Sequence, residues 1–85
     1  MKIITENVIG DLEITKDSQY NSIIGETVTV SAYVMVRFYG VINNLILRKG
    51  STVYLHGKLH GNLTNEGGIL YVFNSVGEVE KFDNN

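Results

Sequence analysis

The two histidines of this chain, His56 and His60, lie four residues apart, a spacing that suggests a metal-ligand pair. On an extended strand, residues four apart share a face but are separated by roughly 13 Å, too far for one zinc ion unless a bend at Gly57 folds them together. No cysteine is present to complete a thiolate site. We therefore expect no bound metal and no cofactor, and we interpret both histidines as surface residues.

The polar residues form no recognisable catalytic motif. No Gly-x-Ser-x-Gly sequence marks an activated serine, and the segment 66–68 is too short for a phosphate-binding loop. The carboxylates of the first third are interpreted as a solvated face: Glu6, Asp11, Glu13, Asp17 and Glu26. With no candidate nucleophile, base or electrophile, we expect the protein not to be an enzyme.

Short strands are the predicted secondary structure. Apolar residues alternate with polar or small ones, as at Val34, Val36 and Phe38, whereas helical periodicity is weak throughout. Glycines punctuate the same stretches, as expected for strands separated by bends. These features predict an all-β chain.

A degenerate repeat of about 17 residues organises these strands. Residues 36–46 read VRFYGVINNLI, residues 53–63 read VYLHGKLHGNL and residues 70–79 read LYVFNSVGEV. The aligned apolar positions are Val36, Val53 and Leu70, then Phe38, Leu55 and Val72, then Ile42, Leu59 and Val76. Gly40 and Gly57 also coincide, with Asn74 in the third copy. A repeat of this length predicts one coil of a parallel β-solenoid, in which each inward side chain has a like neighbour above and below.

The whole chain, residues 1–85, is predicted to form one solenoid domain. Residues 22–79 hold the repeats, residues 1–21 are expected to be an irregular N-terminal turn or cap, and residues 80–85 a polar tail. Ile9-Gly10-Asp11 and Ile24-Gly25-Glu26 are interpreted as one corner in two imperfect first turns. A small antiparallel β-barrel or sandwich is the alternative fold, although it gives no reason for a period of 17.

The repeats resemble the turns of bactofilins, which are bacterial β-helical scaffold proteins. The resemblance lies in copies of the form apolar, x, Gly, x, apolar, and in a loop such as Arg48-Lys49-Gly50-Ser51 followed by residues 52–57, TVYLHG. It covers about residues 22–79 and implies a short right-handed parallel β-helix without an active site. It also implies end-to-end self-assembly into a cytoskeletal scaffold.

Side chains between the inward positions should form an exposed aromatic surface. If the residues at 36, 38, 53, 55, 70 and 72 point inward, their neighbours point outward and align from coil to coil. These outward residues are Arg37, Tyr39, Tyr54, His56, Tyr71 and Phe73. Tyrosine and arginine are favoured at binding hot spots, so we predict a protein interface at these six residues.

Charge and hydropathy narrow the class of partner and the location. A net charge of −2 disfavours attraction to nucleic acid phosphates, so a nucleic acid partner is not expected. No segment reads as a signal peptide or a membrane span, and we expect a cytoplasmic protein with no membrane partner. Small size, mild acidity and an aromatic surface without catalytic residues resemble the general profile of immunity proteins. The resemblance implies a small inhibitor, of the immunity-protein type, that neutralises a bacterial toxin by direct binding. A basic toxin domain is the expected partner, and bactofilin-like self-association is the alternative.

Overall fold

The computed structural model describes residues 1–83 and shows eight β-strands. They are β1 (Lys2–Ile4), β2 (Val8–Ile14), β3 (Ser18–Val30), β4 (Met35–Leu47), β5 (Thr52–Leu59), β6 (Leu63–Asn65), β7 (Ile69–Phe73) and β8 (Val79–Asp83). The last two residues of the predicted polar tail, Asn84 and Asn85, lie outside the described residues. In the described part of the chain, no helix is long and apolar enough to cross a bilayer.

Parallel pairing at the repeat distance builds the fold. β4 pairs with β5 from Met35 opposite Thr52 to Ile42 opposite Leu59, and β5 pairs with β7 beginning at Thr52 opposite Ile69. Each of these partners is 17 positions along the chain, so one coil stacks directly on the next. The prediction of an all-β solenoid with coils of about 17 residues is confirmed, with about four turns. The antiparallel barrel or sandwich is wrong.

Each coil contributes to three ladders of paired strand segments. The first ladder contains β1, the starts of β3 and β4, then β5 and β7. The second ladder contains residues 8–10, 23–25, 40–42 and 57–59, and the third contains residues 12–14, 28–30, 45–47 and 63–65. Shifts in register at the bends separate the ladders in the earlier coils.

β1 and β2, within residues 1–14, form a first coil in the segment 1–21 that was predicted as an irregular N-terminal turn or cap, and residues 18–21 already belong to β3 of the second coil. β1 and β2 both pair in parallel with β3, and Gly10 lies opposite Gly25, as the shared corner predicts. The partners in this coil are offset by 16 residues at Lys2 and Ser18 but by 15 at Val8 and Ile23. This coil is shorter than the others, and a search at a period of 17 therefore misses it.

The C-terminal end reverses direction instead of starting another coil. β8 pairs antiparallel with β7, so residues 80–83 belong to a strand and not to the predicted polar tail. The Asn74 side-chain oxygen accepts hydrogen bonds from the N–H groups of Val76 and Glu78, each at 3.0 Å, and Gly77 has a φ of 83°. Val76 is 76% exposed in this turn, so its predicted place above Leu59 is wrong.

Columns of apolar side chains form the core. Val36, Val53 and Leu70 are fully buried and stack in register, and Phe38 and Leu55 form the next column. Tyr20 and then half-buried Ile4 lie below Phe38 in that column, and half-buried Val72 packs at its top. Further columns form on the other ladders. Fully burying one such aliphatic or aromatic side chain stabilises a fold by about 1.5–3 kcal/mol. These columns give the outward strand faces a rigid support.

Candidate functional site

The six predicted interface residues lie together on the outer surface of the first ladder. Arg37, Tyr54 and Tyr71 are in register on β4, β5 and β7, and Tyr39, His56 and Phe73 form the neighbouring column. We call these six residues the aromatic face. Tyr39 is 36% exposed and the other five are half-buried. The alternation of inward and outward residues therefore places them as the sequence indicates, while their role in binding stays a prediction.

Stacked side chains hold the aromatic face together. The Tyr54 and Tyr71 rings are nearly parallel, with an interplanar angle of 8° and centroids 5.2 Å apart. His56 lies between Tyr39 and Phe73, with centroid distances of 4.6 Å and 4.4 Å. The Arg37 guanidinium carbon lies 5.3 Å from the Tyr54 ring centroid, within cation–π range. Aromatic pairs of this kind contribute about 0.5–1.5 kcal/mol each beyond their buried area.

The stacking direction decides what the face can bind. The ring spacing matches the separation of about 4.8 Å between neighbouring strands, so the rings stack along the coil axis and present their edges to solvent. Nucleobases bind aromatic side chains through exposed ring faces. Here the faces of His56 and Tyr54 are covered by neighbouring residues. The surface therefore offers ring edges and tyrosine hydroxyls, which suit contact with another protein.

His56 is the most constrained member of the aromatic face. Its Nε2 atom is buried and has no hydrogen-bond partner within the described chain. Burial, followed by the nearby positive charge of Arg37, lowers the pKa of His56 below its ordinary value of 6.5. The imidazole is therefore neutral at pH 7, which allows it to stack between two apolar rings.

The aromatic face carries positive rather than negative charge. Arg37 lies within it, and Lys81 on β8 lies opposite Tyr71. Lys81 also pairs with Asp83, with 3.5 Å between the ammonium nitrogen and a carboxylate oxygen. The acidic residues of the first third lie elsewhere and are exposed. The net charge of the whole chain is −2, but the local charge at the aromatic face is positive.

Two of those carboxylates have a structural role that sequence reasoning missed. The Asp11 carboxylate accepts a hydrogen bond from the Thr27 N–H at 3.1 Å, and Asp17 accepts one from the Met35 N–H at 2.9 Å. Both bonds join one coil to the next. The bonded residues are 16 and 18 positions apart, which is close to the length of one coil. This spacing indicates a contact between coils only once the stacking of the coils is known.

An open cleft of about 400 Å³ borders the aromatic face. It lies where the chain turns away after Phe73 while β5 continues to Leu59. The lining residues are His56, Gly57, Lys58, Phe73, Asn74 and Ser75. Sequence reasoning missed this cleft because it depends on the chain reversal at Asn74.

Metal-ligating residues do not converge in residues 1–83. No group of three or more His, Cys, Asp or Glu side chains in this range could hold a metal ion. His56 is stacked within the aromatic face, and His60 follows the end of β5.

Comparison with known proteins identifies no family for this chain. It matches no protein-family model, and no curated protein and no solved structure shows significant similarity to it. The bactofilin resemblance of residues 22–79 therefore stays a prediction.

Proposed function

We propose that this protein is a non-catalytic binding module that docks its aromatic face on another protein. The observation that carries the proposal is the pair of stacked columns formed by Arg37, Tyr54 and Tyr71 and by Tyr39, His56 and Phe73. Tyrosine and arginine are over-represented among residues that dominate binding energy. A partly apolar surface with tyrosine hydroxyls also matches the composition of protein interfaces.

Rigidity supports this use of the aromatic face. The side chains stand on three parallel strands, and each ring is held by a neighbour one coil away. Ordering a mobile side chain on binding costs about 0.5–1.5 kcal/mol. Side chains that are already ordered avoid most of this cost, so the face can bind without rearrangement.

Within this class, we propose a small inhibitor that neutralises a protein toxin by occupying its surface. The net charge of −2 favours long-range attraction to a basic toxin domain. At the contact itself, Arg37 and the edges of the tyrosine rings favour carboxylate and carbonyl oxygens of the partner. A toxin domain with a basic surface and an acidic or carbonyl-rich docking patch would satisfy both conditions.

Self-assembly is the second candidate function, and the open first coil favours it. Within the part of the chain that the structure describes, β1 and β2 pair with β3 on one side only, so their other edges can accept strands. A head-to-tail scaffold would join this end of one copy to the C-terminal end of the next and would not use the aromatic face. The two functions therefore predict different sensitive residues.

The toxin proposal can be tested with the protein encoded by the gene adjacent to the one for this chain. We expect that co-expression of this chain restores growth to cells expressing that protein, and that calorimetry detects a direct complex. Tyr54→Ala and Tyr71→Ala should each weaken the complex by about 1–3 kcal/mol, because each removes a rigid ring from the centre of the face.

Thr64→Ala is the matched control, since Thr64 is exposed and lies on the third ladder. It should leave affinity unchanged, and circular dichroism should show that all three variants keep the wild-type fold. An adjacent protein that is neither bound nor neutralised would overturn the toxin proposal. A complex that is insensitive to both tyrosine variants would overturn the docking role of the aromatic face.

A further inference from the structure

The first coil leaves two strand edges open. Within residues 1–83, β1 and β2 pair only with β3. The Lys2 N–H donates to the Asp17 carbonyl at 3.1 Å, toward the second coil. Because N–H groups alternate in direction along a strand, the Ile3 N–H points the opposite way, toward the open end. Such an edge is a template for a further strand.

Apolar side chains at this end are incompletely covered. Ile4, Val8 and Leu12 pack against the core but are only half-buried. Their register partners in the second coil, Tyr20, Ile23 and Val28, are 8%, 2% and 0% exposed. Ile3 and Ile9, at the rim, are 58% and 73% exposed. A further layer on the first coil would bury these groups, which is favourable.

The two ends of the solenoid differ in shape. All three ladders begin in the first coil, so that end is level. At the other end, β7 and β8 extend the first ladder beyond the last strands of the other two. Two strand spacings make a step of about 10 Å. Two first coils placed face to face can therefore contact each other along all three ladders. A first coil placed against the C-terminal end of another copy would contact only its first ladder.

Strand direction also allows two first coils to pair, and two carboxylates near this end are already hydrogen-bonded within the chain. Asp11 and Asp17 bind backbone N–H groups of the second and third coils, so their carboxylates turn away from the open end. A copy turned over to face the first coil keeps its handedness, but its chain runs in the opposite direction around the common axis, so its strands run antiparallel to those they meet. β7 and β8 already pair in this way within the chain.

We propose that two copies of this chain join head to head through their first coils and form a closed two-fold dimer. The interface consists of antiparallel edge pairing by β1 and β2 over a layer of half-buried apolar side chains. It is separate from the aromatic face and does not depend on the proposed inhibitor function. Because both level ends are used, assembly stops at two copies.

Analytical ultracentrifugation of the wild type and two Ile3 variants tests this dimer. Ile3→Pro removes the N–H that points toward the open end and leaves the pairing of β1 with β3 intact. One hydrogen bond is lost from each copy, so the dimer should be weakened roughly tenfold to a hundredfold. Ile3→Thr keeps the N–H and should remain dimeric at concentrations where Ile3→Pro is monomeric. A wild-type protein that stays monomeric at millimolar concentration, or one that grows into filaments, would overturn the proposal.

Spin-label distances test the orientation without relying on the proline variant. The chain has no cysteine, so Thr5→Cys and Ser75→Cys each give a single labelled site, at the first coil and at the C-terminal turn. Both positions are exposed. A head-to-head dimer places the two Thr5 labels close together and the two Ser75 labels at opposite ends. A shorter Ser75 distance than Thr5 distance would refute the arrangement.

Discussion

At the scale of single residues, His56 shows how stacking controls a titratable group. The ring is held between Tyr39 and Phe73, and its Nε2 has no hydrogen-bond partner within residues 1–83. Protonation would place a positive charge in this apolar stack, near Arg37. The folded chain therefore favours the neutral imidazole, and the pKa of His56 is lowered.

Folding stability should therefore depend on pH through His56. The unfolded chain binds a proton near the ordinary pKa of 6.5, whereas the folded chain binds it only at lower pH. The stabilisation is thus fully present above pH 6.5 and is lost as the pH falls toward the folded pKa. Denaturant unfolding between about pH 7.5 and pH 5 should show a falling free energy of unfolding.

His56→Phe should flatten this pH dependence, because phenylalanine can stack but cannot be protonated. His60→Gln is the control, since His60 is exposed and lies outside the stack, and it should keep the wild-type slope. Equal slopes for wild type and His56→Phe would show that other groups cause the dependence.

At the scale of elements, the bend between the first and second ladders depends on glycine. Gly40 and Gly57 have φ values of 147° and 152° and lie opposite each other. A Cβ atom on Gly57 would overlap the carbonyl oxygen of Gly40, and one on Gly40 would overlap that of Ile23. The column of glycines therefore allows the coils to approach closely where the chain turns.

Gly57→Ala should lower the free energy of unfolding by at least about 2 kcal/mol, because it combines backbone strain with a clash against a neighbouring coil. Gly10→Ala is a matched control: Gly10 also has a positive φ, of 108°, but nothing lies within 4 Å of an added Cβ. It should cost clearly less. Chemical denaturation measures both changes, and equal losses would show that strain alone matters.

At the scale of the whole molecule, the core is continuous from coil to coil. Leu55 is fully buried in the column that also contains Tyr20, Phe38 and Val72. Leu59 lies above Ile42 but is only half-buried, because no further coil covers it. Stability should therefore fall from the middle of the solenoid toward its ends.

Leu55→Ala should destabilise the protein by about 2–5 kcal/mol, as expected for a cavity in a packed core. Leu59→Ala should cost less, and Val76→Ala, at an exposed turn, should change stability by less than about 0.5 kcal/mol. Denaturant unfolding of the three variants gives this order. A loss at Leu59 equal to that at Leu55 would mean that the C-terminal end is covered in solution.

The sequence by itself determined the period, the inward columns of the later coils and the six residues of the aromatic face. Stacked coils require like residues at equal spacing, and this constraint is visible from Val36 to Phe73. Only the tertiary structure decided how the first and last stacked segments are arranged. The first coil is shortened, so its residues fall out of the 17-residue register. At Asn74, side-chain hydrogen bonds hold a local turn where the third repeat copy was predicted to continue to an inward Val76. Ring orientation and the Asp11 and Asp17 bonds also depend on contacts between coils, and such contacts exist only after the chain has folded.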